Sequence, residues 1–200
     1  SELPDSVLMG INTKEFGETA ELKSGLNDEH WYNYLNSIAT VSNGVIISSN
    51  LAKKYDLSVG DSITYARYSP MKTKEPVEIA SPSGTICAIV DAWPGFNQYT
   101  YEKDNSGKVV EKERYLVVAN YAYVVSAFGL TPYQIWGQLA DGHDYQEVLD
   151  TVEKQGILLK SYQSVDQEVQ NMLESPLVLI TNGLFSLSFL VAVILCTVGF

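Results

Sequence analysis

The final 25 residues of the chain, Pro176–Phe200, contain no charged side chain, and all 13 Lys and Arg and all 24 Asp and Glu precede them. A helix needs ~20 consecutive apolar residues to cross a bilayer core, whereas buried helices of globular proteins rarely lack charge over such a length. This stretch therefore predicts one transmembrane helix, in contact with membrane lipid, after a folded acidic body. Its C-terminal position excludes a secretory signal peptide.

The charges before this stretch predict its orientation. Cytoplasmic flanks of membrane spans are enriched in Lys and Arg. Here the last basic residue is Lys160, and only acidic residues follow it, namely Asp166, Glu168 and Glu174. We therefore expect residues 1–175 to be extracytoplasmic and the span to lie in the cell (plasma) membrane. Because the chain begins without Met and ends while still apolar, we also expect it to be part of a longer membrane protein.

The composition narrows the classes of protein further. Apolar residues make up 46% of the chain, which is enough for a packed core. A formal net charge of −11 argues against a nucleic-acid partner, because phosphate binding needs clustered Lys and Arg. The two His and two Cys residues show no metal-ligand spacing, and no Walker motif is present. We therefore expect no metal or cofactor site in this chain.

Patterning over residues 1–163 predicts an α+β domain with a mixed sheet and hairpins. Strands are predicted at Val7–Ile11, Val45–Ile47, Ser62–Arg67 and Tyr115–Ala119. A hairpin is predicted from Val77–Ala80 and Thr85–Ala92 around the turn Ser81–Gly84, and a further turn at Asp104–Gly107. Helices are predicted at Asp28–Ile38, capped by Asn27 or Asp28, at Asn50–Tyr55, capped by Ser48 or Ser49, and between Asn120 and Gly129.

The residues after Pro132 predict a βαβ segment. Tyr133–Ala140 and Ile157–Tyr162 have strand patterns, and the helix between them begins at the capping-box pair Asp144 and Glu147. A strand–helix–strand order favours a right-handed crossover between parallel strands.

A second capping-box pair, Ser164 and Gln167, opens a predicted stalk helix over residues 164–175, with a bend at Pro176 into the span 176–200. The apolar face of this stalk would couple the body to the span, and it consists of Val165, Val169 and Met172. Small residues recur every four positions within the span and predict a helix-packing face, made of Ser188, Ala192 and Cys196.

Two residues of the body suggest nucleophilic chemistry. Cys87 at a predicted strand, with His30 earlier in the chain, resembles the pattern of sortase-type transpeptidases. The Arg that this pattern requires shortly after the Cys is missing, since the next Arg is Arg114. We therefore expect Cys87 to be a buried, inert thiol.

Aromatic residues suggest contact surfaces. The turn made of Trp93, Pro94, Gly95 and Phe96 is a candidate contact turn that either packs inward or presents a surface. Five tyrosines lie close in sequence and suggest sugar or peptide stacking, although edge strands and the rim of the core are the favoured explanation. They are Tyr99, Tyr101, Tyr115, Tyr121 and Tyr123.

An ordered series of segments resembles the FtsX/MacB-like permeases of ABC transporters. Val45–Ile63 (VIISSNLAKKYDLSVGDSI) is similar to a strand–helix–strand block of their extracytoplasmic domain, and Ala88–Phe96 (AIVDAWPGF) to the strand that returns to an apolar Pro-Gly turn. Ile157–Tyr162 (ILLKSY), the stalk and the uncharged span resemble the passage into the C-terminal permease module.

The resemblance implies a permease subunit that is not itself an enzyme. It implies that a separate cytoplasmic ATPase subunit binds ATP, and that a homodimer or a second permease completes the membrane part. The extracytoplasmic domain would couple ATP hydrolysis to export, to lipid, lipoprotein or peptide handling, or to signalling outside the membrane. The alternative is a single-span, membrane-anchored extracellular binding or sensor domain with no ATPase partner.

Overall fold

The computed structural model describes residues 6–68, 77–104, 106–130 and 134–176, together with 180, 184–185 and 188–189. The chain divides into two compact units, Ser1–Gln138 and Leu139–Phe200, called unit 1 and unit 2 below.

The strands of unit 1 form a five-stranded sheet and two short ribbons. Within the described residues they are β1 (Ser6–Ile11), β2 (Gly44–Ser48), β3 (Ser62–Thr64), β4 (Arg67–Tyr68), β5 (Glu78–Ala80), β6 (Ser83–Val90), β7 (Tyr99–Lys103), β8 (Val109–Glu113) and β9 (Tyr115–Asn120). The sheet order is β1-β9-β2-β6-β3, and β4-β5 and β7-β8 pair separately.

The sheet is mixed, as predicted. β1 pairs with β9 and β2 with β6 in parallel, whereas β2 pairs with β9 and β3 with β6 antiparallel. Consequently β2 and β6 end at the same edge of the sheet, and β9 begins there. We call this the carboxyl edge.

Helices cover both faces of the sheet. The described helices of unit 1 are α1 (Thr13–Thr19), α2 (Trp31–Ala39), α3 (Ser49–Tyr55) and α4 (Tyr121–Phe128). One core packs Ile46 and Leu116 against α1 and α2, and the other packs Ile47 and Val117 against α3 and α4. Because both faces are buried, β2 and β9 read as continuous apolar runs rather than alternating ones.

The three helices predicted in unit 1 form as α2, α3 and α4, but their caps differ in part from the prediction. Asn120 caps α4 through its side-chain oxygen, which accepts from the Ala122 amide, and Gly129 ends it with a φ of 72°. The cap of α2 is His30 rather than Asn27 or Asp28, so that prediction was wrong. The reason is that Asn27 bonds the carboxyl edge instead, as described below.

The predicted hairpin over 77–92 was wrong. β5 pairs with β4, and β6 pairs with β2 and β3. Both edges of β6 are therefore occupied, because β6 is an interior strand of the sheet, and β5 finds its partner elsewhere. The predicted turn at Asp104–Gly107 joins β7 to β8, with the Gly107 amide donating to the Asp104 carbonyl at 2.9 Å.

Unit 2 contains two described helices, α5 (Tyr145–Lys154) and α6 (Val165–Leu173). Asp144 caps α5 as predicted, and Gly156 follows it with a φ of 75°. No strand flanks α5 in 134–144 or 157–164, so the predicted βαβ segment was wrong. Leu158 is 98% exposed, and a short apolar run without a paired neighbour does not persist as a strand.

The predicted stalk forms as α6, but its helix is interrupted before Pro176. The helix ends at Leu173, a turn at Glu174 and a bend at Ser175 follow, and helical structure resumes at Pro176. The Ser164 side chain makes no cap hydrogen bond, so the second capping box was wrong. Pro is tolerated in the first turn of a helix but not inside one, which accounts for the interruption.

Most of the predicted span 176–200 lies outside the described residues, including Ala192 and Cys196. Among the residues that are described, no helix combines the length and the apolar character needed to cross a membrane. The span therefore stays a prediction.

Candidate functional site

Polar side chains gather at the carboxyl edge, where β2 and β6 end and β9 begins. Asn27 makes long-range connections in this group. Its side-chain oxygen accepts from the amides of Asp91 and Ala92, both at 2.9 Å, and its amide donates to the Ala92 carbonyl at 2.9 Å. The loop before α2 is thereby fastened to the end of β6.

A second group of hydrogen bonds joins α3 to the residues after β6. The Ser49 hydroxyl donates to the Asp91 carboxylate. The Gln98 amide donates to the Asp91 carbonyl at 2.8 Å and to the Ser49 hydroxyl at 3.3 Å. These bonds close the segment 91–98 on itself and hold it against the first turn of α3.

A third group joins α3 to the start of β9. The Asn50 amide donates to the Arg114 carbonyl at 2.8 Å and to Glu113 at 3.2 Å. The Tyr115 hydroxyl donates to Glu113 at 2.5 Å and accepts from the Lys54 ammonium at 2.6 Å. Burial and the bond to Glu113 raise the pKa of Tyr115, and the bond to Tyr115 raises the pKa of Lys54.

The turn Trp93–Phe96 lies within the same segment, and its aromatic side faces the core. Trp93 and Phe96 are 2% and 7% exposed. The Phe16 ring stacks on Trp93 at a centroid distance of 5.7 Å and an angle of 5°, and Trp31 meets Trp93 edge-on at 6.3 Å. Of the two alternatives for this turn, the structure therefore has the inward-packed one.

Trp136 covers the outer side of this turn. Its ring lies 5.6 Å from that of Phe16, and it occupies the space that a Cβ atom on Gly95 would take, 2.2 Å from the ring atom Cη2. Gly95 has a φ of 71°, a conformation that residues with a side chain rarely adopt. The segment 91–98 is thus held by polar groups on one side and by aromatic rings on the other.

The tyrosines that lie close in sequence are not brought together in one patch. Tyr115 is buried at the start of β9, and the Tyr123 hydroxyl, on α4 after the end of β9, donates to the Ser83 carbonyl at 2.8 Å. Tyr99 and Tyr101 are 48% and 67% exposed on the β7-β8 ribbon. The hypothesis that all five tyrosines form a single stacking surface was therefore wrong.

Cys87 and His30 have separate local partners. The strand pairing steps from Val45 with Ile86 to Ile46 with Ala88, which leaves Cys87 as the extra residue of a bulge. Burial raises the pKa of its thiol, and the sulfur contacts the Thr85 carbonyl at 3.5 Å. His30 accepts from the Tyr32 amide through Nδ1 at 3.3 Å, as the cap of α2.

The coupling and packing residues predicted beyond unit 1 are exposed where they are described. Val165, Val169 and Met172 are 78%, 47% and 70% exposed on α6. The Ser188 hydroxyl donates to the Leu184 carbonyl at 2.8 Å. Ala192 and Cys196 lie outside the described residues.

The carboxyl edge is built to hold segments together. Its polar side chains named above bond one another or the backbone, whereas the buried Trp93 Nε1 has no hydrogen-bond partner among the described residues. Within the described residues, no group of His, Cys, Asp and Glu could hold a metal ion. Sequence reasoning missed Asn27, Gln98 and Trp136, because their partners are distant in sequence and no local spacing signals such bonds. The Gly95 in an apolar Pro-Gly turn was the one available signal, since glycine permits close approach.

The chain has no significant match to any family model, curated protein or solved structure.

Proposed function

We propose that this chain forms part of an FtsX/MacB-like permease subunit of an ABC transporter. The observation that carries the proposal is the order of segments: an acidic α+β unit, an exposed amphipathic helix, and 25 residues without charge. A separate cytoplasmic ATPase would hydrolyse ATP, and unit 1 would act outside the membrane in export, in lipid, lipoprotein or peptide handling, or in signalling.

The architecture of unit 1 supports a mechanical role. Three groups of hydrogen bonds and an aromatic cluster tie α3, the loop before α2, the segment 91–98 and the start of β9 together at one edge. A domain fastened in this way moves as one body, and rigid-body motion is an established route of coupling. The chain itself would need neither a cofactor nor catalytic residues for this task.

The exposed face of α6 supports a partner in the membrane-proximal region. Val165, Val169 and Met172 repeat at spacings of four and three residues, which is the spacing of a helix-packing seam. All three are exposed in the single chain. We propose that a second copy or a second permease covers this face in the assembled transporter.

The topology is tested by labelling Ser106→Cys in a chain that also carries Cys87→Ala and Cys196→Ala. Ser106 lies in the turn of the exposed β7-β8 ribbon, so its substitution disturbs no core contact. A membrane-impermeant maleimide should label intact cells as fully as permeabilised ones. Labelling only after permeabilisation would place unit 1 on the cytoplasmic side and overturn the proposal.

The ATPase partner is tested by purifying the chain, with any natural continuation, from membranes of its source in mild detergent. We expect an ATPase with Walker motifs to co-purify at a fixed ratio and to hydrolyse ATP. The single-span sensor predicts the same labelling at Ser106→Cys but no ATPase, so the two experiments together separate the candidate functions.

A further inference from the structure

We propose that Trp136 is a releasable latch, which fastens the chain leaving unit 1 to the turn Trp93–Phe96. Residues 134–138 have no regular secondary structure, and unit 1 ends at Gln138. The Trp136 ring lies directly over Gly95 and beside Phe16, so this one side chain joins an otherwise irregular segment to the aromatic core.

The latch is held by ring packing alone. No hydrogen bond joins residues 134–138 to any other described residue of unit 1. Trp136 is 41% exposed, whereas Trp31 and Trp93, which contact the same Phe16 ring, are 7% and 2% exposed. Aromatic pairs contribute modestly beyond the area they bury, so release disrupts neither the sheet nor its two cores.

Gly95 makes the latched position possible. A Cβ atom at this position would lie 2.2 Å from Cη2 and 2.7 Å from Cζ2 of Trp136, so any side chain there displaces the ring. Gly107 is a matched control, because it also has a positive φ, of 81°, but has nothing within 4 Å of its missing Cβ. Gly95→Ala and Gly107→Ala therefore carry similar backbone strain, and only the first blocks the latch.

The test uses the full chain labelled with 5-fluorotryptophan and observed by fluorine NMR. The Trp136 signal is assigned by its loss in Trp136→Phe, and the buried Trp31 and Trp93 signals report whether unit 1 is folded. In Gly95→Ala, we expect the Trp136 signal to become narrow and to show the full solvent isotope shift. Gly107→Ala should leave it unchanged.

Thermolysin cleavage within 134–140 provides a second measure. We expect roughly tenfold faster cleavage in Gly95→Ala, the upper range for loss of one aromatic contact, and no change in Gly107→Ala. If Gly95→Ala fails to fold, Phe16→Leu removes one ring of the latch and takes its place. A Trp136 signal that already shows the full solvent isotope shift in the unmodified chain, or that is unaltered in a folded Gly95→Ala chain, would overturn the proposal. Neither measurement depends on a membrane or an ATPase.

Discussion

The Tyr65 hydroxyl is a buried polar group whose desolvation lowers the stability of the folded chain. Tyr65 is 7% exposed, and its hydroxyl has no hydrogen-bond partner within the described part of the chain. Burial, together with the nearby Tyr123, raises its pKa to about 12. The side chain contributes apolar packing against Phe128, while its polar atom costs desolvation.

Tyr65→Phe is therefore expected to leave the free energy of unfolding unchanged, or to raise it by up to ~1 kcal/mol, near neutral pH. Urea unfolding of the full chain measures this. Tyr115→Phe is the control, because the Tyr115 hydroxyl bonds both Glu113 and Lys54 and its loss should destabilise by ~1 kcal/mol. Equal destabilisation by both substitutions would contradict the conclusion that the Tyr65 hydroxyl makes no stabilising hydrogen bond.

The same residue predicts a dependence on alkaline pH. A tyrosine whose pKa is raised in the folded state, to about 12 from 10.0, contributes stability below pH 10 that is lost as the pH rises through 12. Between these two pH values, the Tyr65 hydroxyl ionises in the unfolded chain but stays protonated in the folded chain. The unmodified chain should thus lose more stability than Tyr65→Phe between pH 10 and 12, as measured by urea unfolding at each pH. Parallel curves would show that Tyr65 is solvated.

Cys87 carries a prediction that separates an inert thiol from a nucleophile. Because burial raises its pKa, iodoacetamide should alkylate Cys87 in a Cys196→Ser chain more slowly at pH 8 than it alkylates free cysteine, whose pKa is about 8.5. Mass spectrometry over time measures the rate. The denatured chain is the control and should react like the free amino acid. Alkylation faster than that of free cysteine would revive the transpeptidase alternative.

At the scale of elements, long-range polar contacts decide where loops lie. Asn27 precedes α2 but serves the end of β6, through three hydrogen bonds to the backbone of Asp91 and Ala92. Since these bonds replace those that the backbone would make with water, the loop before α2 and the turn after β6 behave as one unit.

Asn27→Ala should destabilise unit 1 by ~2 kcal/mol, because it leaves two amides and a carbonyl at the carboxyl edge without their partner. Urea unfolding measures the loss, and amide exchange at Asp91 and Ala92 should accelerate. Asn33→Ala is the matched control, since the Asn33 side chain donates to the exposed Glu29 carboxylate, and it should cost under ~0.5 kcal/mol. Equal destabilisation by both substitutions would mean that the hydrogen bonds of Asn27 contribute nothing to the stability of unit 1.

At the scale of the whole molecule, the proposed transport role depends on the helix that precedes the span. Replacing Val169 and Gln170 by a Gly pair lowers helix propensity in the middle of α6 by ~1 kcal/mol per residue. In the complex with its ATPase, we expect ATP-driven changes in the distance between spin labels at Ser106→Cys and Ser188→Cys to be lost, with hydrolysis retained. Pulsed EPR and phosphate release measure the two quantities.

The control for that experiment is a Gly pair at Glu153 and Lys154, in the last turn of α5. It imposes the same loss of propensity outside α6 and should leave the ATP-driven distance change intact. An unchanged distance response in the α6 variant would refute the proposed role of α6 in coupling the body to the span.

Local patterns predicted the elements whose signals are local. The apolar faces of α2 and α4 and the runs in β2 and β9 follow from spacing within one segment, and each element lies within a few residues of its expected place. Pairing was harder. β5 and β6 are neighbours in sequence with a turn between them, yet a hairpin signal does not say that β6 already has β2 and β3 on its two edges.

The candidate site was less predictable than the fold. Trp93 and Phe96 were recognised as an unusual turn, and only burial shows that their rings face inward. Asn27 was predicted only as a helix cap and Trp136 gave no signal, because a hydrogen bond or ring contact across dozens of residues leaves no periodicity in the sequence.

By itself, the sequence determined the separation of an acidic α+β body from an uncharged terminal stretch, because hydrophobicity and charge are properties of residues and need no partner. Only the tertiary structure decided which strands pair, that the Trp93–Phe96 turn packs inward, and that Trp136 covers Gly95. Those outcomes depend on contacts between distant segments, whose free energy exists only once the whole unit has folded.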